Sequence, residues 1–448
     1  MIIDAIILAA VFPRPVHFWA KNSIFKMSSI VAKILYNMGI IPVDRETKNN
    51  NTLFEITFNA LEKLEALAIY PEGTSHTSPH LLDLKDGVSW VAFQYKYNIF
   101  DHNVEREKMP NKLNNLVLLP VGITYLEKFK YRSNVIVTSY GVPINICSYE
   151  DNFLEDPKSS VKNLTNLIKE RLYEITINAT NWNVLKISEL SRSILFGENK
   201  NINAKDYILI TQSLINIFES RQLNIKNKDI SDLYDILESE SKALKSMHIE
   251  INDIINLCKV SRKHFLFEII TKTVSLVIHS LFVLPVIITH IPTYIICNKD
   301  KILSFLTVLG SLAEKKQTFN ESKAQDKVLM GLFVSIIVNI CLFFIIQRVL
   351  VFYPLNEVIS ICIIIIMLNY YNKVIDSFYN KWKSYKKTWY IGWLIFRPYG
   401  KKYIFQRLYQ LQNARKKLLN IIHSGQGKDI NTIKDKFEMT PIKHFYMK

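Results

Sequence analysis

A turn that could bind a charged ligand follows the apolar run at 66–70. Its residues are Tyr70, Pro71, Glu72, Gly73, Thr74, Ser75 and His76. The glycine lets a ligand approach the backbone closely, and the backbone N–H groups and hydroxyls can donate to a phosphate. Loops that a strand positions often carry binding groups. The same residue types also build ordinary strand-to-loop turns, so a purely structural role stays open for the turn taken alone.

Three further segments carry groups that could act on the same ligand. Arg45 follows the apolar run 40–43, and its guanidinium suits forked binding of a phosphate. Lys85 could add a second phosphate contact, and an ordinary role as a surface lysine is an equally good interpretation of this residue. Pro120 and Gly122 belong to a third string, at 119–125.

The order and spacing of these segments resemble the glycerolipid acyltransferases, whose motifs are H-x-x-x-x-D, a G-x-I-x-x-x-R block, F-P-E-G-T/S-S-H and a V-P-V/C-G block. Two longer strings, at 12–21 and 131–144, are similar to the fungal-type glycerol-3-phosphate and dihydroxyacetone-phosphate O-acyltransferases. The resemblance implies transfer of a fatty acyl group from acyl-CoA to the sn-1 hydroxyl of glycerol 3-phosphate, giving lysophosphatidate. A close alternative keeps the chemistry and takes lysophosphatidate or another lysophospholipid as the acceptor.

The resemblance also implies roles for individual residues. A histidine acts as general base on the acceptor hydroxyl, and Asp4 holds its imidazole in the right tautomer. The residues implied in the acceptor site are Arg45, Glu72, Gly73, Thr74, Ser75, His76 and Lys85. Pro120 and Gly122 are implied on the acyl side. Acyl-CoA is a co-substrate, and no cofactor or metal is expected.

The expected base histidine lies outside the printed chain, because the H-x-x-x-x-D spacing puts it two residues upstream of Met1. Either the natural protein starts further upstream, or the chain is a non-catalytic, membrane-bound lipid-binding relative. The first explanation is favoured because Asp4, Arg45 and the Glu-Gly-Thr-Ser turn are intact. His17 is expected to be a core or strand-end residue, and His76 to support the turn.

Alternating strands and helices are expected to position these residues. Apolar and β-branched runs predict strands at 66–70, 116–119 and 135–139, and helical spacing predicts helices at 24–38, 53–64 and 158–175. The fold class is therefore α/β, with an αβα acyltransferase domain over 1–183. Residues 184–271 are mostly charged and helical, and are predicted to form a helical extension.

C-terminal transmembrane helices are expected within 272–372. No Asp, Glu, Lys or Arg occurs at 273–298 or at 328–347, and each run has about the 20 residues needed to cross a bilayer core. A shorter apolar run after Pro354 predicts a hairpin over 328–371.

The positions of the lysines predict how these segments meet the membrane. The loop at 298–327 and the tail at 373–448 are lysine-rich, so both are expected on the cytoplasmic side. That favours a re-entrant or interfacial helix at 273–297 over a spanning one. Trp and Tyr interleave with the basic residues of the tail, which predicts a helix on the membrane surface.

Composition excludes several classes of protein. The chain has 448 residues, 56 Lys+Arg against 40 Asp+Glu, a formal charge of +16, and 49% hydrophobic residues. That combination excludes a disordered basic tail and a simple soluble nucleic-acid binder. The resemblance implies acyl-CoA and glycerol 3-phosphate as partners, the apolar segments imply the lipid bilayer, and no nucleic acid is expected. The location expected with that resemblance is the endoplasmic reticulum membrane, with the catalytic domain facing the cytosol. The five cysteines are scattered, which argues against a disulfide framework or a zinc site.

Overall fold

The structure is a computed structural model of the chain. It describes residues 2–26, 29–44, 51–74, 76, 78–101, 116–125, 136–146, 153, 155–197, 203–223, 228–247, 249, 251, 262–297, 320–349, 356–424 and 428–439. The chain divides into two compact units. The first comprises Met1–Glu189, Asn199–Leu223 and Gly427–Lys436, and the second comprises Leu190–Glu198, Asn224–Gln426 and Phe437–Lys448.

The first unit begins with alternating helices and strands, as the sequence predicts. In chain order these are α1 (Ile2–Val11), β1 (Val16–Lys21), α2 (Asn22–Phe25), α3 (Ser29–Asn37), β2 (Ile40–Val43), α4 (Asn51–Glu62), β3 (Ala66–Ala68) and α5 (Gly87–Asp101). The three strands form a parallel sheet in the order β2-β1-β3. Phe18 pairs with Ile40 on one side and with Ala68 on the other. The central strand β1 therefore fixes the register of both neighbours.

Short antiparallel pairs and further helices complete this unit. They are β4 (Val117–Leu118), β5 (Val121–Tyr125), β6 (Ile136–Tyr140), β7 (Ile144–Asn145), α6 (Pro157–Ile175), α7 (Trp182–Phe196), α8 (Ala204–Leu223) and α15 (Lys428–Met439), the last numbered after the helices given below. Strand β5 pairs with β6, and β4 pairs with β7. Helices α7 and α15 both end in the second unit.

A buried cluster joins α5, β7 and α6. Helix α6 starts where Asp156 caps it, because the Ser159 N–H donates to the Asp156 side chain over 3.2 Å and Pro157 takes the first helical position. Its apolar face then packs against Phe93 of α5 and Ile146 beside β7. Periodic apolar residues at 3/4 spacing thus produced the helix predicted at 158–175.

The second unit is helical in its described part. It contains α9 (Lys228–Met247), α10 (Arg262–Thr289), α11 (Ile291–Cys297), α12 (Asn320–Val349), α13 (Asn356–Phe396) and α14 (Gly400–Ser424). Two of its segments are long and apolar enough to cross a membrane, Phe265–Pro285 in α10 and Glu357–Phe396 in α13, and Val334–Val349 is a shorter apolar stretch. The return arm of the predicted hairpin and the first part of the predicted surface tail form one continuous helix, α13.

A buried ion pair joins α9 to α14. Arg407 Nη1 donates to Glu240 Oε1 over 2.7 Å, and the Glu240 side chain is fully buried. Burial raises the pKa of Glu240, and the Arg407 guanidinium opposes that shift. Such a pair adds little stability by itself, but removing one partner leaves the other charge buried alone.

We expect Arg407→Ala to lower the free energy of unfolding by about 3 kcal/mol at pH 7, because Glu240 then keeps an uncompensated buried charge. A carboxyl group whose pKa is raised by folding makes the folded protein less stable as pH rises. The loss of unfolding free energy in the variant should therefore shrink when the pH is lowered toward 5 and Glu240 takes up a proton. Chemical unfolding in detergent, followed by circular dichroism at both pH values, measures this. Lys416→Ala on the exposed side of α14 is the matched control and should change little.

Candidate active site

A cleft lies at the carboxyl ends of the three parallel strands. Its volume is about 180 Å³, and its lining includes Lys21 at the end of β1, Val43 at the end of β2, and Tyr70 just after β3. Gly73 and Lys85 complete the polar side of the cleft. Ligands of parallel α/β sheets bind at this edge because the loops that leave the strands converge there. The cleft is therefore the candidate active site.

The predicted turn forms one wall of this cleft and is held by its own side chains. Glu72 Oε2 accepts a hydrogen bond from the Leu82 N–H over 3.1 Å and one from His76 Nε2. His76 Nδ1 accepts from the Ser78 N–H over 3.1 Å. The imidazole therefore carries its proton on Nε2, and both ring nitrogens are used inside the turn. The expectation that His76 supports the turn agrees with this arrangement.

Gly73 and Lys85 meet at the mouth of the turn. Gly73 has φ +67°, a left-handed conformation that favours glycine, and its N–H donates to the Tyr70 carbonyl over 3.0 Å. A Cβ on Gly73 would lie 3.3 Å from Lys85 Cγ, so the lysine stem crosses directly over the glycine. The Lys85 N–H donates to the Pro71 carbonyl over 2.7 Å. The structure thus brings Lys85 to the turn, and Thr74 beside it is exposed.

A second, larger cleft adjoins the first and is apolar. Its volume is about 380 Å³, and it shares Trp19, Val43 and Gly87 with the polar cleft. Its other lining residues are Leu53, Phe54, Trp90 and Gln94. The Trp19 indole is fixed between the two clefts because its N–H donates to Thr57 Oγ1 over 3.2 Å. Sequence reasoning missed this cleft, since its lining comes from four separate elements.

Asp4 is held by a tyrosine that sequence reasoning did not single out. The Tyr125 hydroxyl, at the end of β5, donates to Asp4 Oδ1. Burial and the Asp4 carboxylate together raise the pKa of Tyr125 and, to a lesser degree, that of Tyr70. Tyr70 lines the candidate active site, so the Asp4 carboxylate acts electrostatically on a residue of the cleft. The hydroxyl of Tyr70 is buried without a hydrogen-bond partner among the described residues.

The other predicted site residues either do not line the two clefts or lie outside the described residues. A Cβ on Gly122 would lie 2.9 Å from the Ile175 carbonyl oxygen, so Gly122 lets β5 approach the end of α6. The Pro120 carbonyl accepts from the Gly141 N–H over 2.8 Å. Neither residue is among those lining the two clefts, and their acyl-side role stays a prediction. Arg45 and Ser75 lie outside the described residues.

His17 takes the structural role expected of it. Its Nδ1 contacts the Gly39 carbonyl oxygen at 2.7 Å, and its Nε2 contacts Glu65 Oε2 at 2.8 Å. The ring joins the segments that lead into β2 and β3, so it is not free to act as a base. In the ranges the structure describes, His, Cys, Asp and Glu side chains form no cluster that could hold a metal ion.

Comparison with known proteins shows which family the N-terminal part of the chain resembles. Residues 1–120, which include Asp4, the turn and Lys85, match the family model described as Acyltransferase. The N-terminal part of the first unit is therefore similar to an acyltransferase domain. The resemblance to glycerolipid acyltransferases drawn from the motifs is thereby confirmed.

The curated proteins that are similar to this chain are fungal. Glycerol-3-phosphate O-acyltransferase 2 of Saccharomyces cerevisiae is 24% identical over 260 residues, covering 56% of this chain and 32% of the relative. Glycerol-3-phosphate O-acyltransferase 1 of the same yeast is 23% identical over 291 residues, covering 63% and 36%. An uncharacterized acyltransferase of Schizosaccharomyces pombe is 21% identical over 262 residues, covering 57% and 36%. The matches span about a third of each relative. No solved structure matches the chain.

The two tyrosines beside Asp4 give a matched test of the site geometry. We expect Tyr125→Phe to lower the free energy of unfolding by about 1.5 to 3 kcal/mol, because it removes a hydrogen bond to a charged group. Tyr70→Phe should be neutral or slightly stabilising, because it removes a buried hydroxyl that has no partner in the described structure. Thermal or chemical unfolding measures both. An equal loss in the two variants would contradict the assigned hydrogen bond.

Proposed function

We propose that the chain is an acyl-CoA-dependent acyltransferase that acylates the sn-1 hydroxyl of glycerol 3-phosphate, with dihydroxyacetone phosphate as a second acceptor. The observation that carries this proposal is the polar cleft at the strand ends adjoining an apolar cleft. A small phosphorylated acceptor needs the first, and a fatty acyl chain needs the second. The names of the yeast relatives support the choice of glycerol 3-phosphate. We also propose that the enzyme works at the endoplasmic reticulum membrane, with its catalytic unit in the cytosol.

The reaction forms one ester bond and breaks one thioester bond. A base removes the proton from the acceptor hydroxyl, and the oxygen attacks the thioester carbonyl carbon of acyl-CoA. The carbon–sulfur bond then breaks, and the CoA thiolate takes up the proton. A histidine in the H-x-x-x-x-D arrangement would be that base, and Asp4, itself oriented by Tyr125, would hold the imidazole in the productive tautomer.

Cationic groups at the polar cleft would bind the acceptor phosphate. Lys85 is exposed and its stem lies over Gly73, so its ammonium can reach an anion at the mouth of the turn. Lys21 lines the same cleft from β1. Arg45 follows β2 by two residues in the sequence, and its fork would bind two phosphate oxygens. Thr74 can donate its hydroxyl beside them.

We expect Arg45→Ala to raise the KM for glycerol 3-phosphate about tenfold to hundredfold, the equivalent of losing one charge-assisted hydrogen bond. The assay follows acyl transfer from acyl-CoA by the natural gene product, including any residues that precede Met1. Lys33→Ala, an exposed lysine on α3, is the control and should leave the KM unchanged. An unaltered KM in Arg45→Ala would exclude the phosphate-binding role, and preference for lysophosphatidate as acceptor would favour the alternative reaction.

Filling the apolar cleft should change acyl-chain preference. Gln94 lines that cleft from α5, and Gln94→Trp would occupy space that a long chain needs. We expect kcat/KM for a long-chain acyl-CoA to fall at least tenfold while that for a short-chain acyl-CoA changes little. Gln94→Ala is the control, because it removes the amide without filling the cleft. An equal fall for short and long chains would place the acyl chain elsewhere.

A further inference from the structure

Helices α10 and α13 pack side by side along most of α10. The contacts fix an antiparallel register. Near one end, a Cβ on Gly392 would lie 2.9 Å from a ring carbon of Phe265, so the two helices touch closely there. Near the other end, the rings of His290 and Tyr371 meet edge to face with centroids 5.7 Å apart.

Polar contacts fill the seam between these ends. Lys272 Nζ donates to Thr388 Oγ1 over 2.7 Å and pairs with Glu268 at 2.6 Å. Lys381 Nζ donates to Ser275 Oγ over 3.0 Å and lies 3.2 Å from His279 Nδ1. Lys381 has no acidic partner within ion-pair distance among the described residues. The basic part of α13 is therefore level with the middle of α10.

The face of α10 that points away from α13 is apolar and exposed. Its uncovered side chains include Leu266, Phe267, Ile270, Val274, Val277, Ile278, Leu281, Phe282 and Leu284. This face extends over most of the 21-residue segment Phe265–Pro285. A continuous apolar face of that length on an isolated soluble protein would be unstable in water, so a partner must cover it.

An upright α10 does not fit this register. If α10 crossed the bilayer, its antiparallel neighbour would carry Lys381, Lys383 and Lys386 into the hydrocarbon, where charged side chains are strongly disfavoured. If instead the apolar end of α13 at 358–371 crossed upright, the rest of this continuous helix would leave the membrane and hold the apolar face of α10 in water. Both costs disappear when the two helices lie flat.

The aromatic side chains of α13 indicate which side faces the lipid. Trp382, Trp389, Trp393 and Phe396 are exposed, and their spacing places them within about 60° of one another around the helix. Arg397 lies 3.4 Å over the Trp393 ring. Lys383 and Lys387 fall on a different side of the helix by the same count. A stripe of tryptophan flanked by cations is typical of a helix at the headgroup level of a membrane.

We propose that α10 and α13 form an antiparallel pair that lies in the plane of a membrane surface rich in anionic phospholipid. The apolar face of α10 enters the outer part of the acyl region, and the Trp stripe of α13 sits among the headgroups. Lys381, which lacks an acidic partner in the described structure, takes a lipid phosphate. This proposal does not depend on the proposed reaction, because membrane geometry is measured without catalysis.

Measurements of nitroxide depth in the membrane distinguish a flat orientation of α10 from an upright one. Ile270, Val277 and Leu284 are exposed, lie on one face of α10 and precede Pro285, and neighbouring pairs are about 10 Å apart along the axis. Each is replaced by a labelled cysteine in the full chain after Cys147, Cys258, Cys297, Cys341 and Cys362 are changed to serine. Depth is then read by power saturation on vesicles of phosphatidylcholine and phosphatidylserine. Equal depths at the three positions are expected, and a deep maximum at Val277 would overturn the proposal.

A label at Lys383 provides the matched control on α13. A flat pair leaves it accessible to a water-soluble relaxation agent, whereas an upright α10 shields it at the level of Ser275. The unaltered chain gives a second measurement without cysteine changes. Subtracting the emission of a Trp382→Phe/Trp389→Phe/Trp393→Phe variant from that of the unaltered chain isolates the emission of these three tryptophans. Lipids brominated at shallow positions should quench this emission more than lipids brominated at deep positions. Stronger quenching by the deep bromines would contradict the flat arrangement.

Lipid charge tests the remaining part of the proposal. Binding of the full chain to phosphatidylserine vesicles should weaken as salt is raised, because exposed charges are screened. Lys381→Gln should reduce the affinity several-fold more than Lys383→Gln, which removes the same charge from an exposed position. Equal effects of the two substitutions would exclude a lipid phosphate at Lys381. Equal affinity for vesicles of phosphatidylcholine alone would exclude the preference for anionic lipid.

Discussion

The first unit depends on the contact between His17 and Gly39. The imidazole of β1 contacts the carbonyl that precedes β2 and the Glu65 carboxylate that precedes β3, so one side chain joins all three parallel strands. Both ring nitrogens are therefore engaged in these two contacts. A Cβ on Gly39 would lie 2.5 Å from His17 Nδ1, and Gly39 has φ +72°. Only glycine fits there, and the His17 contacts that this fit allows help to hold the register of the three strands.

The candidate active site inherits its geometry from that register. The carboxyl ends of β1, β2 and β3 converge on one cleft because the strands are parallel and adjacent. The turn after β3 then uses Glu72 and His76 to hold itself. The Lys85 side chain, whose stem lies over Gly73, is exposed beside the turn and is available to a ligand. A rigid turn beside a flexible lysine combines a preorganised cradle with a charge that can follow the phosphate.

The sequence predicted local structure well and long-range contacts poorly. Periodicity located α6 within one residue of its start, and β-branched runs located β3, β4 and β6, because these signals lie in consecutive residues. The string 24–38, which has helical spacing throughout, became α2 and α3 instead of one helix. The hydrogen bond from Tyr125 to Asp4 joins residues 121 apart in the chain. Nothing local distinguishes Tyr125 from other strand tyrosines, so only the fold could assign it.

The second unit shows the same limit for charge patterns. The sequence separates an apolar run from a basic aromatic tail, and each alone suggests a different relation to the membrane. Gly392 lets α10 and α13 come close, and the seam then offers Lys272 and Lys381 hydroxyl acceptors instead of water. The lysine side chains can lie along an apolar helix only if their ammonium groups donate hydrogen bonds to such acceptors or reach the headgroup layer. The positive charges of this apolar helix pair are thus compatible with folding because they lie along its seam and along one face of α13.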